Sequence, residues 1–379
     1  MKTWKQGIIG IFAIITIVFT VIVCDNDKET THTHDYQWIV TTPATTEAEG
    51  VETETCTTCG QTNGTRPISR IIFTSIEGFS NWLTTKPTNT ADTAYTVKLN
   101  VDDISTLKTT LNNATDKFVY LDLSDSTITT IPDFAFSTGP MPYTGCATLT
   151  GITIPNSVTS IGTSAFRRCT SLTSITIPDS VTSIGTSAFS SCTSLTSVTI
   201  PNGVTSIGSY AFNTTSLTEI IVATGNSTYT AQDGVLYNKN KTILIIYPQG
   251  KAETSFAIPN SVTSTGEFAF YQCTSLTNVT IPVGVLNIEY SSFSYCTGLV
   301  SITIPNSVTI IGDSAFWQCT NLVSVTFEGT IASSEFSTNS SFMGDLRSKF
   351  YETDSTNGTS GTYTTTTPVT FESSVWTKQ

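Results

Sequence analysis

A single pattern of apolar and polar residues recurs along most of the chain. It is clearest in "SITIPDSVTSIGTSAFSSCTSL" (174–195), where two isoleucines flank a threonine just before a proline. This alternation has the period of two that is typical of a half-buried β-strand. The proline then ends the strand, "SVTSI" predicts a second short strand, the glycine permits a turn, and Ala-Phe supplies buried bulk. Each copy therefore predicts two strands and a turn.

Copies of this pattern are spaced 23 residues apart in two groups of three. The prolines that mark them are Pro155, Pro178 and Pro201 in the first group and Pro259, Pro282 and Pro305 in the second. A looser copy covers 121–149, and a longer unit with "YTAQDGVLYNKNKTILIIYP" (229–248) separates the groups. A fixed period of about 20 to 29 residues with apolar columns is typical of leucine-rich repeats. The sequence predicts a β-rich repeat solenoid with parallel β ladders and short helical turns.

The pattern divides the chain into five predicted segments. A solenoid needs a cap at each end, because a terminal repeat otherwise leaves its apolar face uncovered. Helix-like "SIEGFSNWL" and "DDISTLKTTLNNA" and strand-like "AYTVKLNV" and "KFVYLDL" predict an α/β N-terminal cap. The segments are a signal peptide or lipid anchor (1–24), a tether with a small His/Cys-containing module (25–68), the N-terminal cap (69–120), the leucine-rich-repeat solenoid with an insertion at about 220–255 (121–330), and an irregular C-terminal cap or tail (331–379).

The N-terminus has the layout of an export signal. Two lysines precede an apolar run, 7–23, that carries no charge. Cys24 and the polar "DND" after it resemble the lipid-attachment site of bacterial lipoproteins, although Val23 stands where that site usually has a small residue. An uncleaved anchor and ordinary signal cleavage are the alternatives. The sequence therefore predicts an exported protein that its N-terminus holds at a membrane, with Cys24 as the lipidation site.

The repeat itself closely resembles a known family. "SITIPxSVTSIGxxAFxxCTSL" is similar to the BspA-like leucine-rich repeats of bacterial surface proteins, and "DGVLYNKNKTILIIYP" is a recurrent element there. The resemblance covers roughly 121–330, and the flanks look like those of spirochaete-type repeat lipoproteins. It implies adhesion to host matrix or cell-surface proteins or glycans, or to other bacteria, at a cell surface, an outer membrane or a periplasmic face. Thr265 and 289–292 depart from the consensus.

Charge and histidine content narrow the classes of function. The 379 residues carry a formal net charge of −12, which disfavours nucleic acid as a partner. The only histidines, His32 and His34, precede the repeats, so the solenoid has no base for Ser-His or Cys-His catalysis. Acidic residues also form no column from turn to turn, as a glycan-cleaving repeat would need. We expect no enzyme in the solenoid, and a structural envelope role or an active N-terminal module are the alternative functions.

The nine cysteines fall into three groups with different predicted roles. Apart from Cys24, they comprise the pair Cys56 and Cys59 and a column formed by Cys146, Cys169, Cys192, Cys273, Cys296 and Cys319. Parallel side chains in stacked turns rarely reach the torsion of a disulfide, so the column is interpreted as buried free thiols. The types of His32, His34, Cys56 and Cys59 suit a four-ligand zinc site, but the His pair lies off the commoner zinc-finger spacing and a Cys56–Cys59 disulfide is the alternative. No other cofactor is expected.

Residues that vary between copies are the candidates for binding. The phenylalanine of "SAF" recurs in each repeat and forms a column. The two positions after it hold Arg167 and Arg168 in one repeat, and they include Tyr271, Tyr295 and Trp317 in the last three repeats. Exposed aromatic residues on a rigid repeat are typical anchors of an interface. Ordinary surface scatter is the alternative interpretation. The outward threonine column is interpreted as a solvated strand face, because threonine favours strands.

Overall fold

A computed structural model describes residues 36–42, 50–56, 62–68, 72–139, 144–213, 216–339, 341–366, 368–370 and 374–379. The first three of these stretches are strands of one antiparallel sheet, in the order β1, β2, β3. Their bounds are β1 (Tyr36–Thr42), β2 (Gly50–Cys56) and β3 (Thr62–Ile68).

The elements predicted before the repeats are all present. They are β4 (Ile72–Phe73), α1 (Ile76–Thr84), a 3₁₀ helix (Ala91–Thr93), β5 (Tyr95–Leu99), α2 (Leu107–Asn113) and β6 (Val119–Asp122). Ser75 caps α1, because its hydroxyl accepts from the Gly78 amide at 3.1 Å. Phe79 and Leu83 of α1 are buried. The three parallel strands continue directly into the first strands of the repeats, so this unit covers the N-terminal end of the solenoid.

Each ordinary repeat supplies two short strands. In the first half these are β7 (Thr130–Ile131), β8 (Leu149–Thr153), β9 (Ser160–Ile161), β10 (Ser174–Thr176), β11 (Ser183–Ile184), β12 (Ser197–Ile200) and β13 (Ser206–Ile207). Equivalent strands pair in parallel with the predicted register, so that Ile175 lies beside Ile152 and Ile184 beside Ile161. The solenoid has about 11 turns.

A third row of hydrogen bonds joins the turns between the strands. The Phe166 amide donates to the Ala188 carbonyl at 2.8 Å, and the Arg168 amide donates to the Ser190 carbonyl at 2.9 Å. This turn row has two left-handed positions in each repeat, such as Ser164 and Arg168 with φ of 53° and 59°. Hydrogen bonds of the strand ladders and the turn row therefore join successive turns, although the first ladder breaks between β10 and β12, which belong to separate sheets.

The core consists of columns of like side chains, as the pattern predicts. In the first half the rings of Phe136, Phe166, Phe189 and Phe212 stack with centroids 4.9, 5.2 and 5.2 Å apart. All four are buried, and stacked rings of this kind combine large apolar burial with a fixed packing geometry.

The insertion interrupts all three rows. It comprises β14 (Glu219–Val222), β15 (Tyr229–Gln232), β16 (Val235–Asn238) and β17 (Ile243–Ile246). The β14 strand pairs back to β12, β15 and β16 form an antiparallel hairpin, and β17 starts the second ladder of the next half. The buried residues accordingly form two core clusters that meet at the insertion.

The second half repeats the first and ends in a cap of reversed strands. Its strands are β18 (Ser255–Ala257), β19 (Ser264–Thr265), β20 (Asn278–Thr280), β21 (Asn287–Ile288), β22 (Ser301–Ile304), β23 (Ile310–Ile311) and β24 (Ser324–Phe327). Thr265, a departure from the consensus, is buried and keeps its place in β19, where its hydroxyl accepts from the Glu289 amide at 3.1 Å.

Helix α3 (Leu346–Phe350) and the strands β25 (Gly361–Thr364) and β26 (Thr377–Lys378) close the C-terminal end. The β25 strand pairs antiparallel to β24. Tyr363 and Trp376 are buried there, and the Trp376 indole donates to the Met343 carbonyl at 2.9 Å.

Candidate binding surface on the turn row

The insertion has a shorter turn than an ordinary repeat. Leu244 pairs with Thr265, and the Tyr247 amide donates to the Ala269 carbonyl, so Tyr247 occupies the place of a column phenylalanine. Only two residues, Ile245 and Ile246, separate Leu244 from Tyr247, whereas four residues separate Thr265 from Phe270. The inserted turn consequently lacks the two residues that bulge outward in its neighbours, and a gap of about 160 Å³ opens there. We refer to this gap, lined by Ile207, Ile245, Ile246 and Glu267, as the notch.

Two aromatic side chains from the repeats on either side meet across the notch. The rings of Tyr210 and Phe268 lie with centroids 3.8 Å apart, although the residues are far apart in sequence. Below them the Ser209 hydroxyl donates to the Glu267 carboxylate at 2.9 Å. Both aromatic residues occupy the first left-handed position of the turn row, with φ of 63° and 58°. Bulky residues rarely adopt this backbone conformation, and the other repeats place serine there except the first, which has Phe134.

The contact across the notch is part of a larger aromatic surface. Tyr271 lies 5.1 Å from Tyr210 and 5.9 Å from Phe268, between ring centroids. Tyr290 packs on Phe268 at 5.0 Å, and Tyr295 packs on Tyr271 at 5.4 Å. Tyr290 and Tyr295 are 43% and 37% exposed. These five residues, Tyr210, Phe268, Tyr271, Tyr290 and Tyr295, form a continuous surface that we call the aromatic strip.

A groove of about 340 Å³ runs along the edge of the aromatic strip. Its walls are formed by one arginine, two tyrosines, two amide residues and four serines or threonines: Arg167, Tyr210, Tyr271, Asn213, Gln272, Ser187, Ser190, Ser191 and Thr193. We call it the Arg167 groove. Its composition, rich in tyrosine and small polar residues with one arginine, is typical of surfaces that bind other molecules through rigid rings and adaptable hydrogen bonds.

The phenols of the groove are neutral at physiological pH. Burial raises the pKa of Tyr210 well above its usual range, and the adjacent Tyr271 hydroxyl, to which it is hydrogen-bonded, raises it further. Burial also raises the pKa of Tyr271. Both hydroxyls therefore act as hydrogen-bonding groups and not as charges.

The Gln249 side chain holds the two sides of the groove together. Its amide nitrogen donates to the Asn213 side-chain oxygen and to the Tyr271 carbonyl, the latter at 2.7 Å. Asn213 belongs to the repeat before the insertion and Tyr271 to the repeat after it. The groove is thus built from three successive repeats before the insertion and the one repeat that follows it.

The structure places the five predicted surface residues differently. Arg167 and Tyr271 line the Arg167 groove, Arg168 lies beside it and is exposed, and Tyr295 extends the aromatic strip. Trp317, predicted to be exposed, is instead partly buried against the second core cluster. Trp317 directly follows its column phenylalanine, as Arg167 and Tyr271 do, and all three are partly buried, whereas the next residue is exposed in Arg168 and Tyr295. Ser190 and Ser294, which hold the same first position, are buried as well.

Tyr210, Phe268 and Tyr290 are functional candidates that the sequence pattern did not identify. They precede the phenylalanine column, in the variable part of "GxSAF", whereas the predicted binding residues all follow it. The available signal was the replacement of serine by an aromatic residue in "GSYAF" and "GEFAF".

The cysteine column consists of buried free thiols, as predicted. Each thiol in the interior of the column donates to the carbonyl of the ring residue one turn earlier. The distance from sulfur to oxygen is 3.1 Å from Cys192 to Phe166 and 3.0 Å from Cys296 to Phe270. Burial raises the pKa of both thiols to about 12. The column therefore fills the core and holds adjacent turns together, and its thiols are chemically inert.

The predicted lipid and zinc sites are not tested by the structure. Cys24, His32, His34 and Cys59 lie outside the described residues, and Cys56 is the last residue of β2. Within the ranges that the structure describes, no group of three or more His, Cys, Asp or Glu side chains is placed to hold a metal ion. Every helix in those same ranges is too short or too polar to span a lipid bilayer.

Known families and structures show similarity over the repeats. Residues 106–243 and 246–348 match the BspA type leucine rich repeat region, in six copies. This is a family of repeat proteins and not a class of enzymes. No curated protein matches the sequence.

Three solved structures resemble the chain. A leucine-rich repeat protein from Eubacterium ventriosum is 28% identical, with a TM-score of 0.48, over 61% of this chain and 65% of its own. The pneumococcal vaccine antigen PcpA is 23% identical, with a TM-score of 0.47, over 61% of this chain and 62% of its own. A leucine rich cell surface protein from Faecalibacterium prausnitzii is 25% identical, with a TM-score of 0.42, over 82% of this chain and 97% of its own. The chain thus spans less than two thirds of the first two.

Proposed function

Because this chain belongs to the BspA-type leucine-rich-repeat family, we propose that it is an exported, non-catalytic binding protein of the cell surface. Its solenoid adheres to proteins or glycans on host cells, host matrix or other bacteria. The aromatic strip and the Arg167 groove make the contact. Cys24 carries the lipid that holds the chain at the outer surface of a membrane.

The aromatic strip is the observation that carries this proposal. Clustered tyrosines with an adjacent arginine are typical of the energetically dominant centre of an interface, because they bury large area at a low cost in side-chain entropy. On each side of the insertion the strip stands on turns held by hydrogen-bonded strands and the turn row, and the Gln249 side chain joins the two sides, so little conformational freedom is lost when a partner binds. The strand face, by contrast, carries mostly small hydroxyl side chains, such as Thr176 and Thr303.

Attachment of living cells tests the proposal. We expect a non-adherent bacterium that displays the full chain to bind host epithelial cells or immobilised matrix, and protease treatment of intact cells to abolish binding. The double substitution Tyr271→Ser, Tyr295→Ser is expected to reduce attachment at least about tenfold, as the loss of two interface anchors implies.

The control is the double substitution Thr176→Ser, Thr303→Ser on the strand face, which should leave attachment unchanged. Failure of the displayed chain to bind any host or bacterial surface would support a purely structural envelope role instead. Mass spectrometry of the mature N-terminus checks the anchor, since an acylated Cys24 is expected and an unmodified cleaved terminus would contradict it.

The segment 25–68 contains the four residues of the predicted zinc site. His32, His34, Cys56 and Cys59 supply the nitrogen and sulfur ligands that zinc prefers. We propose a structural zinc ion there, with a Cys56–Cys59 disulfide as the competing outcome. Metal analysis of the purified chain distinguishes the two, because one zinc per chain that Cys59→Ser removes supports the metal site.

A further inference from the structure

We propose that the Arg167 groove binds an acidic sugar, that is, a glycan unit that carries a carboxylate. This inference rests on the proposed function and specifies the ligand of the same surface. It is argued from the hydrogen-bonding groups, the rings and the charge that the groove brings together.

The polar lining of the groove matches a polyhydroxylated ligand. Gln272 presents a donor and an acceptor, and the hydroxyls of Ser187 and Ser191 do the same. Asn213 adds its side-chain N–H groups, because its oxygen already accepts from Gln249. A sugar hydroxyl both donates and accepts, so it can pair with any of these groups. An apolar side chain in the groove would leave these groups unpaired, at the cost of their desolvation.

The two rings of the groove offer the apolar part of such a site. Tyr210 and Tyr271 meet at an interplanar angle of 66°, so they form two walls of a corner. The C–H face of a pyranose ring can pack on either wall, while the sugar hydroxyls at its rim reach the amides. The volume, about 340 Å³, lies at the low end of the range for ligand pockets, which suits one or two sugar rings better than a long chain.

Charge selects the acidic sugar. Arg167 is the one ionised side chain among the described residues that line the groove. Its planar guanidinium suits a carboxylate, which it can bind by charge-assisted hydrogen bonds from its terminal nitrogens, since its Nε is buried. The chain as a whole carries a formal charge of −12 and repels anions, so an acidic ligand is favoured where Arg167 and Arg168 reverse the local sign.

The backbone around the groove argues against a peptide strand as the ligand. An added strand needs unpaired amides and carbonyls at a sheet edge. Here the Ser191 amide donates to the Asn213 carbonyl at 2.7 Å, and the Arg168 amide donates to the Ser190 carbonyl at 2.9 Å. Recognition in the groove therefore depends on side chains, as the sugar requires.

The test measures binding of defined oligosaccharides to the full chain in detergent by isothermal titration calorimetry. The probes are 3′-sialyllactose and a hyaluronan tetrasaccharide, with lactose as the neutral counterpart and an acidic tyrosine-containing peptide as the protein-like alternative. We expect at least one acidic oligosaccharide to bind roughly tenfold or more tightly than lactose, as one charge-assisted pair implies. Binding of neither acidic sugar, equal binding of lactose, or preferential binding of the peptide would overturn the inference.

Two neighbouring arginines provide a matched pair of variants. Arg167→Gln is expected to remove the preference for the acidic sugar, and Arg167→Lys to retain part of it, since a lysine keeps the charge but not the planar fork. Arg168→Gln removes the same charge one residue outside the groove and should leave binding within about twofold. Thermal melting of each variant checks that the turn is intact. Equal loss in Arg167→Gln and Arg168→Gln would contradict a specific site.

The outcomes also separate this inference from the proposed function. If cells adhere through the aromatic strip but the purified chain binds no acidic sugar, the adhesion proposal is supported and the acidic-sugar inference is wrong. If the purified chain binds acidic sugars but is absent from the cell surface, the inference is supported and the adhesion proposal is wrong.

Discussion

Single residues of the core set the chemistry of the interior. The thiols of the cysteine column touch carbonyls of the preceding turn, and burial is the first cause of their raised pKa. A thiol reacts as its thiolate, which this environment disfavours. Cys24, Cys56 and Cys59 lie in a different part of the chain, where the proposed roles are lipid attachment and a zinc ion or a disulfide, so the cysteines of one protein have different expected chemistry.

Thiol labelling tests whether the column cysteines are buried and unreactive. In the folded chain at pH 8, we expect a maleimide or Ellman's reagent to leave the six column cysteines unmodified, and denaturation in guanidinium to expose all six. Labelling of Cys192 or Cys296 in the folded state would contradict the assignment. The raised pKa of Cys192 and Cys296 also links stability to pH. The thiols ionise at about 12 in the folded chain and near their ordinary pKa of 9.0 in the unfolded chain. Because the unfolded chain therefore loses these protons first, the free energy of unfolding should fall as the pH rises above 9.

At the scale of elements, adjacent turns lie so close together that the residue after the second strand of a repeat, such as Gly185, has no room for a side chain. A Cβ added to Gly185 would lie 2.6 Å from the Gly162 backbone carbon, which is shorter than any normal contact. At Gly266 the nearest atom would be the Leu244 carbonyl oxygen at 3.1 Å, because the neighbouring turn is the shortened one of the insertion. The same sequence position therefore has different steric room on the two sides of the notch.

These glycines form a matched pair for measurement. Gly185→Ala is expected to lower the free energy of unfolding by about 1–3 kcal/mol, the usual cost of overpacking. Gly266→Ala should cost less than about 1 kcal/mol, since a shift of a few tenths of an ångström relieves its contact. Urea titration followed by circular dichroism compares the two. An equal loss in both variants would show that the notch gives Gly266 no additional room.

The ladders could be predicted from sequence, whereas the aromatic strip could not. Ile175 and Ile184 repeat with a fixed period, and a period determines strand register directly. The contact between Tyr210 and Phe268 depends instead on how many residues the intervening turn contains. The number of residues in that turn can be counted only once Leu244 is known to pair with Thr265 and Tyr247 to stack with the phenylalanine column. The sequence does not show this alignment, because the β15–β16 hairpin departs from the repeat pattern.

On the scale of the whole molecule, the insertion divides the core. Tyr237 and Tyr247 belong to the second cluster, and Phe212 and Tyr229 to the first. Stability in a solenoid is a sum of repeat and nearest-neighbour terms, so a weak interface between neighbours separates cooperative units. The Phe stack is continuous on each side, from Phe136 to Phe212 and from Tyr247 onward.

We therefore expect the chain to unfold in two transitions. Urea should melt one half before the other, and hydrogen exchange read by mass spectrometry should assign the transitions to residues on either side of the insertion. Gly185→Ala is expected to shift only the transition of the first half. A single transition that this substitution shifts as a whole would indicate that the two clusters behave as one.

The direction of the hydrogen bonds between turns has a mechanical consequence. Bonds such as that from the Phe166 amide to the Ala188 carbonyl point from one turn to the next, along the axis on which the turns are stacked. A pulling force along that axis therefore stretches these bonds along their length and does not shear them. Force applied between the N-terminus and the Arg167 groove would cross only the turns before Tyr271. The later repeats would bear no load and would remain folded while the first turns peel apart one by one.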